Sequence, residues 1–190
     1  NGNLLVVQKG KVLFQNSYGY AHLKEKDSLS SDSKFQLASL SKPVTAIAVL
    51  KLVQDKKISL QDTIQKFFPD FPYPGVEIGM LLSHRSGLPN YIYSFPDSVR
   101  QNRNYPSNMD VMRWYAQVEN KPQPYNKPNR SFHYCNTNYL VLAAIVEKVS
   151  GSSFGNYLRK QIFLLLGMAN SYLIMDTSAI AMENRTAGYE

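Results

Sequence analysis

Ala38-Ser39-Leu40-Ser41-Lys42-Pro43-Val44-Thr45-Ala46-Ile47-Ala48-Val49-Leu50-Lys51-Leu52-Val53 is the stretch from which the rest of the chain is read. A serine and a lysine three residues apart open an apolar run of helical length. On a helix, positions i and i+3 share a face, so the Lys42 ammonium is within reach of the Ser39 hydroxyl. The run is apolar almost all round, as expected of a buried helix. Pro43 falls in the first turn, where its missing N–H costs nothing. Burial of that start would desolvate Lys42 and favour its neutral amine, a base. The helix N-terminus would favour negative charge developing near Ser39. Together these features describe a candidate serine acyl-transfer site.

The chain carries its own control. Ser31-Asp32-Ser33-Lys34 has the same spacing, but it lies in the polar stretch 24–34, which reads as solvated turns. Upstream, Leu4–Val7 and Val12–Phe14 flank Gln8-Lys9-Gly10-Lys11 as a β-hairpin. Downstream, the Ser39 helix is expected to end near residues 55–57, with a short helical stretch over 61–68 and another over 78–83. Residues 88–108 read as a long excursion. Met109–Val118 is amphipathic, with Ser107 and Asp110 as a capping pair. Thr137–Val149 is a second strong helix closed by Gly151, and 154–162 suggests one more. Two strands make a marginal sheet and need further partners, which points to an incomplete chain with exposed strand edges available for self-association.

Composition narrows the function classes. The 190 residues carry a net charge of +7, with lysines and arginines scattered rather than striped among aromatics, which argues against nucleic-acid binding. The longest apolar runs, 139–146 and 162–169, are too short to span a bilayer. The single cysteine, Cys135, forms no internal disulfide. It adjoins His133 and Asn136, but catalytic partners usually meet from distant segments, so a small buried thiol is the better reading. No His/Cys/Asp/Glu cluster has metal-ligand spacing, and no phosphate-binding glycine loop is found.

Tyr134-Cys135-Asn136 immediately precedes the second strong helix. Tyr134 offers a phenol able to shuttle a proton beside Lys42. Asn136 offers an amide donor and a carbonyl acceptor, suited to a substrate amide or to Lys42 itself. The competing reading is an aromatic core residue beside an N-cap asparagine.

Ser-x-x-Lys at a buried helix start, followed by Tyr-x-Asn before a later helix, resembles the serine β-lactamase and penicillin-binding-protein superfamily. Tyr-x-Asn in place of Ser-x-Asn resembles its class C β-lactamase branch, with D,D-peptidase and esterase relatives. Gly19-Tyr20-Ala21, Leu81-Leu82-Ser83-His84-Arg85-Ser86-Gly87-Leu88, Leu166-Gly167-Met168 and Gly188-Tyr189 fit the same family. Arg85, Cys135 and Leu165 stand where threonine, serine and proline are commoner.

The resemblance implies an α/β (α+β), β-lactamase/transpeptidase-like fold: an antiparallel sheet flanked by helices plus a helical region over about 60–170, in one domain covering 1–190. It implies Ser39 as the acylated nucleophile, whose backbone N–H forms half of an oxyanion hole. Lys42 is its activating partner, Tyr134 the proton-transfer group and Asn136 a substrate-binding residue, with lysine or tyrosine as the true base left open. His84 is structural on the same ground. No cofactor or metal is implied, and substrates would be β-lactams, D-amino-acid peptides or esters met outside the cytoplasm. The family's third motif, Lys- or His-x-Gly on a later strand, does not follow Asn136. The chain therefore resembles the N-terminal part of a serine hydrolase that forms an acyl-enzyme, here without the strand that supplies an oxyanion donor and a substrate wall. The alternative is a non-catalytic β-lactam or cell-wall-peptide sensor or structural homologue.

Overall fold

A computed structural model describes residues 1–96, 106–175 and 184–187. The chain divides into two compact units, Asn1–Ser39 with Leu166–Glu190, and Leu40–Leu165. In the first unit, β1 (Gly2–Gln8) pairs antiparallel with β2 (Lys11–Tyr18), from Gly2 opposite Tyr18 to Gln8 opposite Lys11. Lys9 and Gly10 both have positive φ, 49° and 75°, which makes this a tight mirror-image turn matched to strand twist. Leu4, Val6, Leu13 and Phe14 are all exposed, so the ribbon has no covered face within the described residues. A second small ribbon pairs β3 (Tyr20–His22) with β4 (Asp27–Ser28). Part of the segment read as plain turns is therefore strand. Ser31 and Asp32 are exposed in a turn tied by the Ser30 and Ser33 hydroxyls, as a solvated decoy should be.

The second unit is helical and holds the principal core. α1 (Lys42–Gln54), α2 (Ile78–Leu82), α3 (Tyr91–Ser94), α4 (Asn108–Gln117), α5 (Asn136–Ser150) and α6 (Phe154–Leu158) follow in order. α5 is the central helix and packs against α1, α2, α3, α4 and α6. That position explains its nearly all-round apolar sequence, with Val141, Leu142, Ala144, Ile145 and Val146 excluded from solvent. It ends at Gly151, whose φ of 65° is the left-handed conformation a side chain would resist. α4 begins with a complete capping box between Ser107 and Asp110. Its buried face carries Val111, Met112 and Tyr115.

Three expectations are revised. α1 is not buried all round: Thr45, Ala48, Val49 and Leu52 face inward, while Ile47 and Leu50 are exposed. The stretch 61–68 forms only the single 3-10 turn Ile64–Lys66. The last helix is α-helical only to Leu158 and continues as a wider π-type turn, Arg159–Phe163. The excursion 88–108 contains α3, and its residues 97–105 lie outside the described set, as does Gly188-Tyr189.

Candidate active site

Lys42 is the first residue of α1 and is half-buried. Its Nζ donates to the Asn136 Oδ1 at 2.9 Å, across 94 residues of sequence. The same ammonium lies over the Tyr134 ring, 4.8 Å from its centroid, and 5.7 Å from that of Tyr139. A cation set on two aromatic faces and one carbonyl oxygen is held by directional contacts without being sealed from water. Ser39 lies in the one-turn 3-10 segment Ala38–Ser41 that runs directly into α1, and it is exposed. Ala38 has a φ of 46°, a backbone state uncommon for any residue but glycine.

Asn136 does not cap α5. The N-cap is Cys135, and Asn136 is the first helical residue, with its side-chain oxygen turned to Lys42. Tyr139 follows three positions on, which places both on one face of the helix. Tyr134 is not core either, with 44% of its surface exposed. Of the residues singled out from sequence, Lys42, Tyr134 and Asn136 are thus brought together in the second unit.

His84 organises what lies behind them. It follows α2 with a φ of 54° and is buried. Its carbonyl accepts the His133 N–H at 2.8 Å, and its Nδ1 is 3.2 Å from the Cys135 backbone N. Asn138 Nδ2 is 3.1 Å from the same Nδ1, while Asn138 Oδ1 accepts the Ser86 hydroxyl at 2.6 Å. The Ser86 oxygen in turn accepts the Leu88 N–H. Desolvation, followed by the positive charges of Lys42 and His133, holds the His84 imidazole below its ordinary pKa.

Arg85 turns outward and is fixed to Asn129, Nε donating to Oδ1 at 2.8 Å and Nη2 to the main-chain oxygen at 2.7 Å. Gly87, with φ 72°, lets the Asn126 carbonyl approach so closely that a Cβ there would stand 2.1 Å from it.

Cys135 is fully buried, its thiol directed at the Leu88 and Pro89 carbonyls, and burial pushes its pKa up. His133 instead stacks on Tyr125 at 3.9 Å, so no cysteine–histidine pair forms there. Asn138 and Tyr139 escaped the sequence reading. For Tyr139 the available signal was helical phase, three residues beyond Asn136 on the same helix, whereas Asn138, two positions from Asn136, left none. Among the described residues, no group of three His, Cys, Asp or Glu side chains is placed to hold a metal ion.

The beta-lactamase family model matches residues 2–190. The chain belongs to that family. A penicillin-binding protein of Bacillus subtilis is 38% identical over 168 residues, covering 88% of this chain and 37% of the relative. The chain spans well under half the length of that relative. Among solved structures, the octameric penicillin-binding protein homologue of Pyrococcus abyssi superposes with a TM-score of 0.82 at 28% identity, over 99% of this chain and 43% of that one. The D-amino acid amidase of Ochrobactrum anthropi SV3 gives 0.78 at 27% identity, over 97% and 51%. These likenesses establish the mixed α/β fold, which contains small antiparallel ribbons and helices. No helix among the described residues is long and apolar enough to cross a membrane.

Proposed function

We propose that this chain carries the acylating centre of a serine hydrolase of the class C β-lactamase and penicillin-binding type. Ser39 is the nucleophile, Lys42 its activating partner, Tyr134 the proton-transfer group and Asn136 the residue that holds Lys42 and meets the substrate. The observation that carries this reading is the meeting of Lys42 with Asn136 and the Tyr134 ring, at 2.9 and 4.8 Å. Two motifs far apart in sequence converge on one ammonium.

The chemistry follows from those groups. Ser39 Oγ forms a bond to the substrate carbonyl carbon, and the bond from that carbon to the leaving nitrogen or oxygen breaks. The Oγ proton travels by way of Lys42 and Tyr134 to the leaving atom. Water then attacks the acyl-enzyme carbonyl as Tyr134 takes its proton; the C–Oγ bond breaks, a proton returns from Tyr134 or Lys42 to Ser39 Oγ, and the acid leaves. The Asn136 Oδ1 is engaged by Lys42, so its NH₂ is the group to offer a substrate carbonyl. β-Lactams, D-amino-acid peptides and esters are the proposed substrates, supported by the penicillin-binding and amidase relatives. A location outside the cytoplasm belongs to the same proposal, supported by the likeness to penicillin-binding proteins. Self-association through the exposed β1–β2 edges belongs to the same proposal, and the octameric Pyrococcus homologue supports it.

Intact-mass spectrometry after incubation with a fluorescent penicillin, and separately with an activated ester, tests the reading. A stoichiometric adduct that disappears in Ser39→Ala is expected. A persistent adduct marks a binding or sensing role, and a transient one marks hydrolysis. An adduct retained in Ser39→Ala, or none with either reagent, overturns the assignment for this chain.

A further inference from the structure

We propose that His84 is a positioning residue for Tyr134, holding the main-chain N–H groups of the residues on either side of it, and that its ring holds the Cys135 N–H only as the neutral imidazole. The proposal rests on the reading of Tyr134 as the proton-transfer group, and it adds how that phenol is aimed and when the aim is lost.

The grip is two-sided. His133 N–H donates to the His84 carbonyl at 2.8 Å, and Cys135 N–H to its Nδ1 at 3.2 Å. The Phe132–His133 and Tyr134–Cys135 peptides are thereby tied to one residue. The His84 ring also lies against the Tyr134 ring, centroids 4.6 Å apart and planes 31° apart. Backbone, side chain and ring contact all fix the same tyrosine. The left-handed φ of 54° at His84 is what turns the ring back toward the loop.

The protonation state follows from the donors. A backbone N–H has only a proton to give, so Nδ1 accepts, and the neutral ring carries its proton on Nε2. Asn138 adds a second donor to Nδ1, because its Oδ1 is already committed to the Ser86 hydroxyl at 2.6 Å. An imidazolium would set N–H against N–H at both contacts. The groups facing the ring are Lys42 from α1, His133, Tyr134 and Cys135 from the loop, and Tyr139 from α5, at 5.2 Å with its hydroxyl on the Leu82 carbonyl. Lys42 and His133 both oppose a further positive charge. Acid therefore loosens the tyrosine by charging the residue that holds it.

Two variants separate this role from mere structure. His84→Asn keeps an acceptor near the Nδ1 position, tolerates positive φ and does not titrate. His84→Ala removes the acceptor. In long-range ¹H–¹⁵N spectra the His84 ring should show unprotonated Nδ1 at pH 8, and tyrosine-labelled protein should show Tyr134 signals moving with the same midpoint as His84. His84→Asn should abolish that movement. The opposite tautomer, or Tyr134 signals indifferent to His84 titration, overturns the proposal. In the Ser39-dependent ester reaction, His84→Ala should slow acylation about 10–100-fold and His84→Asn should return to within about fivefold of the parent, without its acid decline. Equal losses in both variants, tracking only the folded fraction, also overturn it. If the parent forms no adduct, the functional reading fails while the spectra still decide the positioning role.

Discussion

Asn138→Ala is the substitution whose cost can be worked most directly. Asn138 is fully buried and Ser86 almost so. The Ser86 hydroxyl donates to Asn138 Oδ1 at 2.6 Å and accepts the Leu88 N–H at 3.1 Å. Asn138 Nδ2 meets His84 Nδ1 at 3.1 Å. Removing the carboxamide leaves the Ser86 proton without its acceptor in a dry site, and takes one donor from His84. An unmade buried hydrogen bond costs about 1–3 kcal/mol, and the small void adds to it, giving about 2–4 kcal/mol in total. With a urea dependence of ~2 kcal/mol per molar, the middle of the range for a small protein, the unfolding midpoint should fall by about 1–2 M.

The sole tryptophan, Trp114, reports the transition, because it is half-buried on α4 beside Phe95 and Tyr115 in the same unit. Ser86→Ala supplies the other corner of a double-mutant cycle. It strands the Asn138 oxygen and the Leu88 N–H, so it should also cost about 1–3 kcal/mol. In the double variant the second loss should be smaller, with a coupling of about 1 kcal/mol or more. A single-variant cost below about 0.5 kcal/mol, or additivity within that margin, would refute the claim that this pair ties the His84 turn to α5.

Lys42→Met should lower the acylation rate about 10²–10⁴-fold, measured by stopped-flow with an activated ester, while the urea midpoint stays near that of the parent. The depressed pKa of His84 means that the unfolded chain takes up its proton first as pH falls. Its contribution to stability is therefore full above the ordinary histidine value of about 6.5 and is lost below it, a decline that His84→Asn should lack in urea titrations at several pH values. Cys135 should resist an aromatic disulfide reagent in native buffer and react fully in 6–8 M denaturant (roughly enough to unfold most small domains), because its thiol is buried. Gly87→Ala should cost about 1–3 kcal/mol from backbone strain and more from the clash with Asn126, read as a lowered midpoint.

Local chemistry in the sequence located most of these elements. The hairpin was legible because two apolar runs are joined across Gln8-Lys9-Gly10-Lys11, and both Lys9 and Gly10 have the positive φ of a tight hairpin turn. The α4 start was legible because Ser107 and Asp110 satisfy each other's backbone donors whatever the helix packs on. The β3–β4 ribbon was not, since it is held by the cross-strand pairs Tyr20–Ser28 and His22–Asp27 and by the Leu29 N–H on the Gly19 carbonyl, neither of which leaves a local pattern. The buried α1 was overstated for a related reason. An apolar residue records that burial is favourable, not what covers it, and Ile47 and Leu50 are exposed among the described residues.

The site divides along the same line. Spacing suggested Ser39 with Lys42, and order added Tyr134 with Asn136, but nothing local to either motif says that Asn136 turns its oxygen to the lysine rather than to its own helix. That choice belongs to tertiary structure. With Cys135 as the N-cap and no side-chain cap bond there, α5 starts without help from Asn136, which frees the amide for Lys42. Cys135 is held in turn by His84 on its N–H and by two carbonyls on its thiol. A larger or charged side chain at 135 would have to break that seat, so the departure from serine keeps what the position requires: a small group that can sit buried against carbonyl oxygens. The residue between the two proposed functional side chains is thus seated at both its N–H and its thiol, and the aim of both Tyr134 and Asn136 depends on it.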